Sequence, residues 1–132
     1  MKVMVVEDEQ ASRKLVCFVL TAEGHNVLSV SSAEMALESI RANKPEIVLV
    51  DLALPGMDGL EFARLLKKDD ATRHVAIVAI TAYPEQCTKE ASLKTYCEAF
   101  IVKPVDTRML AEQLAGALLV DLPTAGARPE VA

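Results

Sequence analysis

Short apolar, β-branched runs alternate along this chain with longer stretches in which apolar side chains recur every three or four positions. Continuous or two-residue apolar patterning suits a strand and a 3.6-residue period suits a helix, so regular alternation of the two points to βαβ units around a parallel sheet. The predicted strands are Lys2–Val6, Asn26–Val30, Glu46–Val50, Val75–Ile80 and Ala99–Val102. The first, third and fourth are apolar almost throughout, as strands covered on both faces are, and this places them in the middle of the sheet.

Between the strands, Ala11, Leu15, Phe18, Val19 and Ala22 fall on one stripe of a first helix ended by Gly24, and that stripe is expected to face the core. Ser31 to Glu34 has the spacing of a capping box and opens a second helix to about Ala42, before Pro45 forbids continuation. A third helix is predicted from Asp58 through Lys68. Pro84 suits the first turn of a fourth that ends near Thr95. Asp106 or Thr107 caps a fifth, with Met109, Leu110, Leu114, Ala117 and Leu118 as its apolar stripe. After Val120 the sequence DLPTAGARPEVA offers little apolar bulk to bury. The expected organisation is one (βα)₅ domain of the α/β class at 1–120 and a flexible tail at 121–132.

Composition narrows the function classes. The 132 residues are 52% hydrophobic and 25% charged, the balance of an ordinary globular domain. No apolar run nears the roughly 20 residues that cross a bilayer, and MKVMVVEDE lacks the features of a signal peptide, so a cytoplasmic protein is expected. The net charge of −5 argues against a broad nucleic-acid interface. Cys17, Cys87 and Cys97 are widely spaced and read as free thiols in a reducing compartment.

In an open parallel sheet, ligands bind outside the carboxyl ends of the strands. Here the first strand ends in Glu7-Asp8-Glu9, the third in Asp51, the fourth in Thr81 and the fifth in Lys103-Pro104. Carboxylates gathered within a few ångströms raise one another's pKa, so the cluster implies a cation. An all-oxygen donor set suits a hard ion, and Mg²⁺ takes one or two carboxylates while sharing its shell with phosphate. Asp51 is then the natural nucleophile for an aspartyl phosphate, with Lys103 as the fixed cation for phosphoryl oxygens. Plainer roles coexist with these: Asp8 or Glu9 capping the first helix, Lys103 pairing the acids for stability, and Thr81 either bonding a phosphoryl oxygen or capping the next helix.

These residues resemble the receiver-domain family of two-component response regulators. The resemblance rests on VVEDE at 5–9, DLALPGMDG from Asp51 to Gly59, Thr81-Ala82 and Lys103-Pro104, and it spans positions 2 to 120. It implies a flavodoxin-like doubly wound sheet in order 2-1-3-4-5. It also implies Asp51 as phosphoacceptor, with Mg²⁺ organised by Glu7, Asp8, Asp51 and the main-chain carbonyl of Ala53. Thr81 would be the switch hydroxyl, Lys103 the phosphate-binding lysine, Phe100 the switch aromatic, and the Lys103–Pro104 peptide cis. The implied partners are a histidine kinase or histidine phosphotransfer protein as donor and a downstream protein at the face formed by the fourth helix, fifth strand and fifth helix. Such a domain is a phosphoacceptor that assists its own phosphorylation and dephosphorylation rather than an enzyme acting on a separate substrate.

Departures from the family pattern are Glu7 where Asp is also common, Tyr96 in place of a glycine before the fifth strand, and Phe100 in place of a frequent Tyr. Ser12, Arg13 and Leu15 on the first helix are candidates for choosing a kinase. A nucleotide- or flavin-binding protein of this topology would need a phosphate loop where Glu7-Asp8-Glu9-Gln10 stands. A haloacid-dehalogenase-like phosphatase would need an acid where Ala53 stands. Two alternatives stay open at this point: an interaction module that works without phosphorylation, and a receiver fragment of a longer transcription regulator or hybrid kinase.

Overall fold

The computed structural model describes residues 1–82, 96–103, 105–106, 108–110, 112–113 and 116–117. Five parallel strands, β1 (Lys2–Val6), β2 (Asn26–Val30), β3 (Ile47–Asp51), β4 (Ala76–Thr81) and β5 (Ala99–Val102), form one sheet in the order β2-β1-β3-β4-β5. Among the described residues, three helices lie between them: α1 (Gln10–Ala22), α2 (Ala33–Asn43) and α3 (Gly59–Lys68). The expected fold class and strand order are both present. The third and fourth strands run one residue later than predicted, which takes Asp51 and Thr81 into the ladder itself.

Alternation along the strands divides the core into two layers. Met4, Val6, Val48, Val50, Ile77 and Ala79 face α2 and α3, where Ala36, Ile40, Phe62 and Leu66 meet them. Val3, Val5, Leu49, Val78, Ile80 and Ile101 face the opposite way, onto Val16 and Leu20 of α1 and onto Leu110 and Ala117. Every residue of β3 and β4 is buried, while the edge strand β2 exposes Asn26 and Ser29. The predicted fourth helix, Cys87, Pro104, Thr107, Leu114, Leu118 and the tail lie outside the described residues. Of the predicted fifth-helix stripe, Leu110 and Ala117 are buried, and Met109 is 44% exposed.

Helix α1 corrects the sequence reading. Leu15 and Phe18 are 52% and 72% exposed, whereas Val16 and Leu20 are buried; Ala11 and Ala22 are exposed as well. The run LVCFVL at 15–20 is apolar all round, so more than one helical stripe fits it. The stripe facing the sheet is the one whose side chains reach Val3, Val5 and Leu49. Helix α2 corrects a second detail. Its cap is Ser32, which accepts the Met35 N–H at 3.1 Å, so the expected Ser31–Glu34 box does not form. The helix ends at Lys44 with φ of +49°, and Pro45 follows.

The entry to β5 is tied to α3. Lys67 Nζ donates to Glu98 Oε2 at 2.8 Å and to the Val75 carbonyl at 2.9 Å. The other oxygen of Glu98 accepts the Ile77 N–H at 2.6 Å. Tyr96 is half-buried against the α2–α3 layer. Among the described non-glycine residues only Lys44 has positive φ, so a left-handed residue is not used at Tyr96.

The revised α1 face makes a direct prediction. Leu20→Ala removes a fully buried side chain and should cost about 2–5 kcal/mol, whereas Phe18→Ser should stay within about 0.5 kcal/mol of wild type. Urea unfolding of both variants checks this, and the reverse order would restore the predicted stripe.

Candidate metal and phosphoacceptor site

The charged rim follows from strand ends in register. Backbone pairing continues one residue past β1, where the Glu7 N–H reaches the Val30 carbonyl at 3.1 Å, and past β5, where the Lys103 N–H reaches the Thr81 carbonyl at 2.8 Å. The two-residue period therefore still applies at the rim. Glu7, Asp51 and Lys103 share the parity of the α1 layer, and Thr81 and Phe100 share that of the α2–α3 layer. The expected phosphoacceptor and lysine thus lie on the opposite face of the sheet from the expected switch pair.

Asp51 is buried at 3% exposure in the middle of the sheet. Its Oδ2 accepts from Lys103 Nζ at 2.7 Å, and its Oδ1 accepts the Ala53 N–H at 2.9 Å. Lys103 Nζ also lies 3.8 Å from Glu7 Oε1. Carboxylate oxygens of Glu7, Asp8 and Asp51 all lie within 4.8 Å of one another, with Asp8 exposed and the other two buried. Glu7 Oε2 additionally accepts the Glu9 N–H at 3.1 Å.

Electrostatics at the rim are those of a crowded acidic cluster. Burial, resisted by the Glu9 N–H and reinforced by the charge of Asp51, pushes the Glu7 carboxyl up to about 7. Burial opposes charge on Lys103 too, but its hydrogen bond to Asp51 and the charges of Asp51, Glu7 and Glu9 hold it above the usual lysine value. One ammonium thus faces two buried carboxylates, and the surplus of negative charge is what a divalent cation would relieve. The oxygen-only donor set and the exposed Asp8 on the open side fit Mg²⁺, which keeps waters in its shell.

The site residues expected from sequence lie at this rim, except Phe100, which sits within β5 opposite Ala79, and Pro104, which lies outside the described residues. Thr81 is buried at 2% exposure, Phe100 is half-buried against the α2–α3 layer, and Ala53 is exposed beside Asp51. Three residues supporting the rim were not anticipated in that role. Arg13, expected only as a kinase contact, turns its guanidinium onto the Glu7 carbonyl at 2.9 Å. Ser12 is bonded to the Glu9 carboxylate. At Gly59 a Cβ would lie 2.7 Å from the Asp51 carbonyl oxygen and 2.8 Å from the Leu52 Cα, so only glycine lets α3 start against the end of β3. A cavity of about 430 Å³ opens on the α1 face between Ser12, Leu15, Lys103 and Val105.

Comparison with known proteins agrees with this geometry. Residues 3–115 match the response regulator receiver domain. The polar-differentiation response regulator DivK of Brucella anthropi is 33% identical over 112 residues, 85% of this chain and 91% of DivK. A sensor protein from a Polaromonas species superposes with a TM-score of 0.85 at 28% identity, covering 92% of this chain and 98% of its own. The receiver domain of a Pseudomonas aeruginosa sensor histidine kinase, solved with a magnesium ion in its active-site cleft, gives a TM-score of 0.80 at 25% identity, over 89% and 96% of the two chains. The chain belongs to the response regulator receiver family.

The raised Glu7 carboxyl predicts a pH dependence for the metal-free protein. Between about pH 4.5 and 7 the folded chain holds a proton that the unfolded chain has released, so stability is fully present below this window and falls as pH rises through it. Asp69, held low by the Ala71 N–H and Arg41, and Asp106, held low by Arg108, titrate beneath the window with the opposite sign. Urea midpoints measured with chelator should decline from pH 4.5 to 7, and Glu7→Gln should flatten that decline; equal slopes in both proteins would refute the assignment.

Proposed function

We propose that this receiver domain is a Mg²⁺-dependent phosphoacceptor, in which Asp51 takes a phosphoryl group from a phosphohistidine on a histidine kinase or histidine phosphotransfer protein. The observation that carries the reading is the buried Asp51 carboxylate, held at 2.7 Å by Lys103 Nζ and grouped with Glu7 and Asp8. An oxygen of Asp51 attacks phosphorus in line; the new O–P bond forms as the P–N bond to the donor imidazole breaks, and the nitrogen leaves with the electron pair. Lys103 holds charge on the phosphoryl oxygens, and the Ala53 N–H fixes the rotation of the Asp51 carboxylate. Mg²⁺, when held by Glu7, Asp8, Asp51 and the Ala53 carbonyl, offsets repulsion between the carboxylates and the incoming phosphoryl dianion.

Thr81 and Phe100, on the opposite parity, are the switch pair. The Thr81 hydroxyl turns toward the phosphoryl group and Phe100 turns inward, biasing a two-state equilibrium that the unmodified protein already samples. The downstream partner reads the face of the fourth helix, β5 and the fifth helix. Val102 and Met109, each 44% exposed, supply apolar contact area there. The domain assists its own phosphorylation and dephosphorylation and is otherwise not an enzyme. Cys17 is a free thiol, and no helix among the described residues is long and apolar enough to cross a membrane. The free thiol is the observation that supports work in the cytoplasm.

Intact mass after incubation with Mg²⁺ and acetyl phosphate tests the chemistry. The wild type should gain one labile phosphoryl group, Asp51→Asn none, and Lys103→Met should gain it roughly 10²-fold more slowly. A wild type that gains nothing from acetyl phosphate or phosphohistidine donors would leave a module that works without phosphorylation. Thr81→Ala should still accept the group, yet lose the phosphorylation-dependent change in amide exchange at Phe100. An unchanged response at Phe100 would remove Thr81 from the switch.

A further inference from the structure

We infer that Glu34 is a positioning residue for the phosphoacceptor site, clipping the loop between β3 and α3 from the first turn of α2. The inference rests on the function proposed above. Residues 52–58 connect Asp51 to α3, and this loop carries Ala53, whose backbone flanks the site. At its base the loop is closed by its own backbone: the Gly59 N–H reaches the Leu52 carbonyl at 3.3 Å, and the Leu52 N–H reaches the Ile80 carbonyl at 2.9 Å. Asp58 caps α3 by accepting the Glu61 N–H at 2.8 Å. The tip has a different anchor, since the Met57 N–H donates to Glu34 Oε2 at 3.1 Å. Among the described residues, Glu34 is the one group besides Asp51 itself that lies outside the loop and α3 and hydrogen-bonds to any of residues 53–58.

The surrounding sequence is shaped for this contact. Gly56 adopts φ of +73°, which favours glycine, and a Cβ there would stand 2.9 Å from Glu34 Oε2, so another residue would strain the turn and push the carboxylate aside. Glu34 is available because Ser32 rather than Ser31 caps α2, which leaves the Glu34 side chain unused by the helix end. The contact joins two elements that the sheet keeps apart, since α2 follows the edge strand β2 and the loop follows the central strand β3. A carboxylate bonded to a backbone N–H is a charge-assisted contact, stronger than a neutral pair. Releasing it frees the loop tip. The Ala53 backbone then samples more positions, and any ligand that depends on it binds less tightly.

Isothermal titration of Mg²⁺ into the full chain tests this, with the wild type, Glu34→Ala, Glu34→Gln and, on the exposed face of the same helix, Glu38→Ala. Glu34→Ala should bind Mg²⁺ roughly tenfold more weakly and exchange its Met57 amide faster, with its urea midpoint close to wild type. Glu34→Gln keeps an acceptor oxygen and should restore most of the affinity, and Glu38→Ala should match wild type. Equal Mg²⁺ affinity in wild type and Glu34→Ala would overturn the inference alone. So would a Glu34→Gln as weak as the alanine variant, because the hydrogen bond would then not be the cause. A wild type that binds no Mg²⁺ would overturn the inference together with the function it rests on.

Discussion

Charge at the carboxyl rim of the sheet governs the rest of this molecule. Parallel pairing brings the ends of β1, β3 and β5 to one side, and the residues standing there are Glu7 and Asp8, Asp51 and Lys103. Two of the acids are almost wholly buried, and the lysine ammonium contacts both. Desolvated like charges are costly, and removing one partner from such a group leaves the other uncompensated. The cluster is therefore held in a state that an added cation relieves and an added phosphoryl group reorganises. Stability has been conceded at the place where chemistry is needed, and the buried layers on both faces of the sheet offset it.

Separation of roles follows from geometry as simple as strand pleating. Because side chains alternate, Glu7, Asp51 and Lys103 fall on one face while Thr81 and Phe100 fall on the other. The end of β4 sits between β3 and β5 and so lies between Asp51 and Phe100. Neither face has to be rebuilt for the other to vary. Phe100 has no hydroxyl and is held against the α2–α3 layer by packing alone, so any switch role proposed for it is steric.

How much was legible in the sequence depended on which physical signal each feature leaves. The five strands and the convergence of Glu7, Asp8, Asp51, Thr81 and Lys103 were legible because strand ends in a parallel sheet lie on one rim whatever the helices do. The buried face of α1 was not, since LVCFVL offers several apolar stripes and only contact with Val3, Val5 and Leu49 selects among them. The cap of α2 was misplaced by one residue because Ser31 and Ser32 are chemically equivalent and differ only in backbone position. The roles of Arg13 and Glu34 leave no local mark at all. Each depends on where a long side chain points, onto the Glu7 carbonyl in one case and onto an amide 23 residues away in the other.

The tie between Lys67 and Glu98 bears on the far end of β5. This strand has four residues and pairs on one side only, so fewer backbone hydrogen bonds fix its register than fix that of a central strand. Glu98 gives one oxygen to Lys67 and the other to the Ile77 N–H, so a slip of one residue would break both contacts at once. The same slip would carry Lys103 away from Asp51 and send Phe100 through to the wrong side of the sheet. A bolt at the foot of the edge strand thus guards the alignment of a charge and an aromatic ring at its head.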